Sequence, residues 1–386
     1  MSKLRDLYMT TSAPALSTGR DMRTYTCIRA LAMFRPVDLV YVPHDTDEPA
    51  APYLAIENVE FHKIQPSRGW RRAALYASER ARGIPARCCR GTSPELIAAG
   101  RDLAARPDRG RVIVADANCA TAMMPIARRR PIIYNAHNFE PDYVRSPILG
   151  NHGLARAMRR RYERKLIGLA AETWMVSEVD VESARKLVPT AKVRYVPNVV
   201  DVAAILAKRV DHDTDRRPVS PDGGQVLMVG DFTYPPNRRG RELLVHSVLP
   251  VVWQSLPDAR LKIAGRDTEA WRAPDPRIEV TGWVESLAGL YAQADCVVVP
   301  ITEGAGSSFK FIEALAYGVP VVATPQAARG LGVLAGVHYR EGHDAATLAQ
   351  AIVAVLRGDG IETAAEGRRL AEREYSIESL AERIAA

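Results

Sequence analysis

Cysteine is scarce in this chain, and what there is does not assemble into a recognisable site. Cys27, Cys88, Cys89, Cys119 and Cys296 are spread over 386 residues, with no CxxC pair and no histidines at ligand spacing. That argues against a structural metal and a disulfide framework, and for a reduced, cytosolic protein. Long apolar runs are missing too. Nothing approaches the roughly 20 residues that a membrane span requires, and the opening MSKLRDLYMTT lacks the apolar core of a signal peptide. No short-period repeat and no low-complexity tract occurs.

What is present describes a soluble globular chain, 47% hydrophobic and 25% charged. At this length two domains are expected. The net charge of +7 calls for an anionic partner: nucleic acid, an anionic membrane face or a phosphorylated substrate. Nucleic acid is set aside, because no helix-turn-helix, RRM or zinc pattern accompanies the charge.

Short apolar runs alternate with helix-like segments. Strands are expected at 6–9, 38–42, 59–64, 111–116, 131–138, 172–177 and 192–196, with helices at 20–34, 95–105, 119–130 and 154–170. A polar stretch without apolar periodicity follows, and the alternation restarts with strands at 225–231, 259–265, 278–284, 295–301 and 320–324. Strands alternating with helices predict parallel sheets covered on both faces. The fold class is therefore α/β, with two Rossmann-like domains facing across a cleft. The expected division is a first domain at 1–205, a linker at 206–224, a second domain at 225–365, and a C-terminal helix at 366–386 crossing back to the first. Ligands of such sheets bind beyond the carboxyl ends of the strands.

One segment concentrates the chemistry: EGAGSSFKFIEALAYGVPVVATP, residues 303–325. A helix beginning at Ser307 or Ser308 offers free N–H groups and a positive dipole end to an anion. Gly304 and Gly306 let the backbone approach a ligand. Lys310 adds a full charge in the first turn, and Glu313 lies one turn on, suited to ribose hydroxyls. Taken alone, the segment also fits a capped loop with an exposed Lys–Glu pair.

The fuller pattern, P-x3-G-A-G-x3-K-x2-E-A-x-A-x-G-x-P-V-V-A-T, resembles the donor-binding segment of retaining GT-B glycosyltransferases of family 4. VPNVVD (196–201), VGDFTYPPNRRG (229–240), IAGRD (263–267) and VTGWV (280–284) resemble other parts of that family's pattern, in the family's order. In the first half, AHNFE (136–140) and TTSAPALSTGRDMR (10–23) do so too. The resemblance implies that Lys310 contacts the donor diphosphate, Glu313 the ribose, and His137 the surroundings of the reacting bond. It places Ala305, Gly306 and Ser307 at the donor sugar, Ser308 at phosphate, Gly282 and Val284 at the base, and Gly19 near the phosphates.

Two departures stand out. The family's E-x7-E motif would put a glutamate where this chain has Ala305, so Glu303 is the nearby acidic candidate for a sugar contact. The loop after strand 225–231 carries Asp231 where relatives carry a basic residue, leaving Arg239 or Arg266 as the second cation. Asn237 reads either as a donor contact or as a turn residue.

No DxD-like metal motif and no convincing carboxylate pair of a hydrolase is present. The resemblance thus implies metal-independent transfer, without a cofactor, from a nucleoside-diphosphate sugar, UDP- or GDP-linked. The acceptor is a glycan, a lipid-linked glycan or a secondary metabolite. The basic segment RAMRRRYERK (156–165) is expected either to meet an anionic membrane surface, which would make the protein peripheral there, or to be a solvated helix face. Tyr162, Leu166, Ile167 and Leu169 form its apolar side. Competing readings are a nucleotide-sugar epimerase or hydrolase on the same fold, and a degenerate nucleotide-sugar-binding protein.

Overall fold

A computed structural model describes residues 4–43, 48–67, 69–91, 93–142, 153–207, 223–304 and 307–385. The chain divides into two compact units, Met1–Asn198 with Ile377–Ala386, and Val199–Ser376. Each has its own sheet and its own core.

The N-terminal sheet contains β1 (Arg5–Met9), β2 (Val37–Tyr41), β3 (Val59–Lys63), β4 (Arg109–Ala115), β5 (Ile133–Asn135), β6 (Glu172–Met175) and β7 (Val193–Tyr195). Their order is β3-β2-β1-β4-β5-β6-β7, and every pairing is parallel. All of β2 and all but the first residue of β1 are buried. Continuous apolar runs of this kind belong to strands covered on both faces. Right-handed crossovers require helix Gly19–Ala32 on one face, and the helices between β3 and β6 on the other. The terminal helix Ile377–Ala385 packs beside helix Gly19–Ala32. Arg111 and Arg194 each donate to a carbonyl of that terminal helix, at Ile384 and Arg383.

The C-terminal sheet holds β8 (Gly223–Val229), β9 (Asp258–Ala264), β10 (Ile278–Gly282), β11 (Cys296–Val299), β12 (Val321–Ala323) and β13 (Arg340–Glu341). Their order, β10-β9-β8-β11-β12-β13, repeats the logic of the first sheet, again entirely parallel. In both sheets the strand order reverses beside the first strand, between β1 and β4 and between β8 and β11. Loops leaving the two central strands there diverge, which is where open α/β sheets take ligands. Helix Phe309–Tyr317 covers one face through Phe311, Ile312 and Leu315, all fully buried. Each contributes about 2 kcal/mol by removal from water.

The division between the units falls at Asn198/Val199 rather than at the expected 205. Val200, Val202 and Ile205 pack into the core built around Leu227 and Val297, and Val200 N donates to Tyr375 O. Residues 208–222 of the expected linker lie outside the described residues. The expected C-terminal helix is two helices, Ile361–Glu374 and Ile377–Ala385.

Helix Gly153–Leu169 brings Tyr162, Leu166 and Ile167 inward as its apolar spacing requires, while Leu169 stays 37% exposed. Glu163 is buried with them, accepting from Tyr134 Oη at 3.3 Å. Burial pushes its carboxyl up to about 8. The unfolded chain releases this proton near the ordinary carboxylate value, so between that value and about 8 the folded state holds an extra proton. The group's contribution is therefore intact at low pH and declines as pH rises through that window. Glu163→Gln should match the parent's melting temperature at pH 5 and exceed it by at least about 2 °C at pH 8. Equal loss at both pH values would contradict this.

Candidate functional site

In the C-terminal unit the site grows from three strand ends. Gly230, just after β8, donates its N–H to Ala264 O, and Gly265, just after β9, donates to Gly282 O. Gly265 sits at φ +138°, and a Cβ there would lie 1.7 Å from Gly230 O, so only glycine permits the two strand ends to meet. After Gly230 the chain turns through Asp231, whose carboxylate accepts from Thr233 N at 3.0 Å and Thr233 Oγ1 at 2.6 Å. Helix Pro235–Leu243 follows, with proline in its first turn where no N–H is needed.

Asn237 on this helix is buried. It donates through Nδ2 to Asp231 O at 2.6 Å and accepts at Oδ1 from Lys310 Nζ at 2.5 Å. It is therefore both a turn residue and the holder of the lysine. Lys310 itself is half-buried in the first turn of helix Phe309–Tyr317. Burial pulls its ammonium down to about 8, against the opposing pull of Asp231 and Glu313. Glu313, one turn on, accepts from Tyr291 Oη at 3.2 Å, and burial pushes its carboxyl up to about 7. Tyr291 stacks on Tyr317 with ring centres 4.4 Å apart.

The N-cap of the lysine's helix is Ser308, yet its hydroxyl makes no capping bond. Its Oγ is buried without a hydrogen-bond partner among the described residues. A buried orphan hydroxyl at the N-terminus of the helix that carries the ammonium suits an incoming anion. Gly304 adopts φ +125° and offers its carbonyl to Gln326 Nε2 at 2.9 Å. Ser307, next to Ser308, and Val284, two residues after Gly282, are half-buried. Ala305 and Gly306 lie outside the described residues.

The two candidate arginines differ in what they do. Arg239 forms an ion pair with Glu303. Arg266 follows Gly265, is exposed, and has no ion pair or side-chain hydrogen bond with a described residue; its carbonyl accepts from Phe232 N at 3.0 Å.

The N-terminal unit carries a second cluster at its own strand ends. His137, after β5, is 7% exposed at its side chain, with Nδ1 4.0 Å from Asp116 Oδ2. Neither ring nitrogen has a hydrogen-bond partner among the described residues. Burial, with the charges of Arg23 and Arg20, holds the imidazole well below its usual range, hence neutral. Asp116, after β4, sits at φ +53°, its Oδ1 accepting from Asn118 N at 2.6 Å. Its other oxygen pairs with Arg20, which also donates to Thr11 Oγ1. Gly19 starts the helix bearing Arg20, and Thr18 caps that helix. Glu140 pairs with Arg87, and Asn198 Oδ1 accepts from the buried Arg23 at 3.1 Å.

The sequence reading missed Asp116, Arg20 and Tyr291. The sequence shows only an aspartate directly after the apolar run RVIVA, and the strain that sets Asp116 apart is not legible there. The single metal-like cluster among the described residues, Asp38, Glu60 and His62, lies towards the amino ends of β2 and β3. Arg5 and Arg109 already neutralise Asp38, which leaves it no call for a cation.

Residues 223–358 match the family model for glycosyl transferases group 1. No curated protein matches the sequence. Solved structures match over nearly the whole chain. One is a sucrose-phosphate synthase from Thermosynechococcus elongatus, 17% identical with TM-score 0.74, covering 99% of this chain and 98% of that one. Another is Anabaena Alr3699/HepE in complex with UDP and glucose, 15% identical with TM-score 0.67, at 99% and 98% coverage. A third is a UDP-forming α,α-trehalose-phosphate synthase from Burkholderia vietnamiensis, 13% identical with TM-score 0.65, at 99% of each chain. The fold is that of GT-B glycosyltransferase structures, with two Rossmann-like domains.

Asn237→Ala should remove the lysine's side-chain acceptor while leaving its burial. The Lys310 ammonium should then titrate below about 8, measured by NMR of labelled lysine side chains. An unchanged or higher value would show that Asn237 does not hold the charge.

Proposed function

We propose that the chain is a retaining glycosyltransferase that moves a sugar from a nucleoside-diphosphate donor, UDP-linked in first place, to a carbohydrate or lipid-linked acceptor. The observation carrying this reading is the Lys310 ammonium, held by Asn237, in the first turn of a helix whose N-cap hydroxyl, Ser308 Oγ, is buried and unpartnered among the described residues. In the transfer, the bond from the anomeric carbon to the diphosphate oxygen breaks and negative charge grows on the leaving group. A fixed ammonium and helix dipole stabilise that charge without reorganising, which is the largest single lever available to such a site. The acceptor oxygen bonds to the same face of the sugar, and its proton passes to the departing phosphate.

Each remaining group takes a role that its surroundings allow. Glu313 and Tyr291 meet ribose hydroxyls. Main chain at Gly282 and Val284 meets the base. Arg266 is the second diphosphate cation, because Arg239 is committed to Glu303. That ion pair orients Glu303 towards the donor sugar, with Gly304 through Ser307 supplying backbone beside it. His137, neutral, acts as a hydrogen-bond donor to a sugar hydroxyl, and the Arg20–Asp116 pair fixes its neighbourhood. No metal or cofactor is needed in this scheme, since side-chain cations neutralise the diphosphate.

Thermal stabilisation by UDP, GDP, ADP and dTDP, with chelator present, tests the reading. One nucleotide should stabilise the parent. Lys310→Ala and Arg266→Ala should each weaken its binding by about ten- to hundredfold, and Arg239→Ala by less than Arg266→Ala. No stabilisation by any nucleotide at millimolar concentration would overturn the donor site. Nucleotide binding without sugar transfer to any acceptor would favour a binding protein instead.

A further inference from the structure

The positive charge of this chain is segregated. The N-terminal unit contains 33 lysines and arginines against 22 aspartates and glutamates, and the C-terminal unit 19 against 23. The excess of +7 is thus the balance of a strongly basic unit and a mildly acidic one.

Much of the basic excess is displayed on one side of the N-terminal sheet. Helix Gly153–Leu169 turns Tyr162, Glu163, Leu166 and Ile167 inward. Its opposite face presents Arg160, Arg161, Arg164 and Lys165, all exposed and without an ion pair to a described residue. Helix Trp70–Ala81 lies on the same side, as the crossover rule requires. Glu79 at its inner face interacts with Cys89, and Tyr162 of the longer helix lies near both Glu79 and Cys89. Among the residues of helix Trp70–Ala81 only Glu79 is buried, so the helix rests on the domain by a narrow edge. Its outer face carries Trp70, 76% exposed, with Arg71 stacked against the indole at 5.6 Å.

We infer that these two helices form a docking surface for an anionic lipid bilayer. A large indole kept in water has no role in the domain's own core, whereas tryptophan settles at the boundary of headgroups and acyl chains. Unpaired arginines around such an anchor match a negatively charged headgroup layer. Charge complementarity and the exposed aromatic together select a lipid surface over a soluble polyanion, which would need the cations alone. Among the described residues no helix is long and apolar enough to cross a membrane, so the attachment is at the interface. The inference is separate from the transfer reaction, because vesicle binding needs neither donor nor acceptor.

The full chain should co-sediment with phosphatidylglycerol–phosphatidylcholine vesicles and not with pure phosphatidylcholine vesicles. Brominated lipid should quench its fluorescence, and Trp70→Ala should remove that quenching. Reversing Arg161, Arg164 and Lys165 to glutamate should lower vesicle partitioning by at least about tenfold. All three are exposed, so the fold is preserved, and circular dichroism checks it. Reversing the exposed Arg260, Arg272 and Arg369 of the other unit is the control and should change partitioning far less. Equal loss in the control, quenching that survives Trp70→Ala, or binding to soluble heparin but not to vesicles would each overturn the inference.

Discussion

An ammonium held inside a packed strand–helix junction is the constraint on which the C-terminal unit turns. Lys310 cannot stay charged there unless something accepts its hydrogen bonds, and Asn237 Oδ1 accepts one at 2.5 Å. Asn237 is in turn fixed by Asp231 O. The β8 loop, the helix after it and the helix after β11 are therefore tied at one point. Burial still outweighs this help and lowers the lysine to about 8. A diphosphate would supply the missing negative charge, so ligand binding and the electrostatic needs of the fold point the same way.

The N-terminal unit solves a similar problem differently. Arg23, 1% exposed, gives its hydrogen bonds to Asn135 Oδ1, to the carbonyls of Val196 and Pro197, and to Asn198 Oδ1. Uncharged oxygens alone satisfy this buried cation, and they come from the segment before His137 and from the chain's exit to the second unit. Burial, helped by this positive field, keeps His137 neutral. The aspartate beside that histidine is held in a left-handed backbone conformation, which persists only where surrounding contacts over-determine it. Strain, a neutral buried imidazole and an ion pair thus meet at the strand ends, the part of the sheet where binding is expected.

The alternation of apolar runs and helical spacing was enough to read twelve of the thirteen strands among the described residues, because parallel strands buried on both faces announce themselves. β13 escaped because it is two polar residues, Arg340–Glu341. Helix Trp70–Ala81 escaped because it has almost no buried face and so no apolar stripe. Gly304, Gly306, Lys310 and Glu313 drew attention through local spacing, and Asn237 only through the family resemblance. The bond joining Lys310 to Asn237 was not, since 73 residues separate them. The ion pair of Arg239 with Glu303 was likewise hidden, because 64 residues separate the two. Asp116 and Arg20 needed backbone dihedrals and a long-range pair that no sequence window contains.

Amide hydrogen exchange of the full chain with and without UDP tests the central claim most directly. In the C-terminal unit, the account predicts slowed exchange at Gly230–Asn237, at Gly265–Arg266 and in the first turn of the Phe309–Tyr317 helix, with the same map weakened in Lys310→Ala at equal UDP concentration. Saturating binding that leaves these three segments unprotected, or a map unchanged by Lys310→Ala, would contradict it.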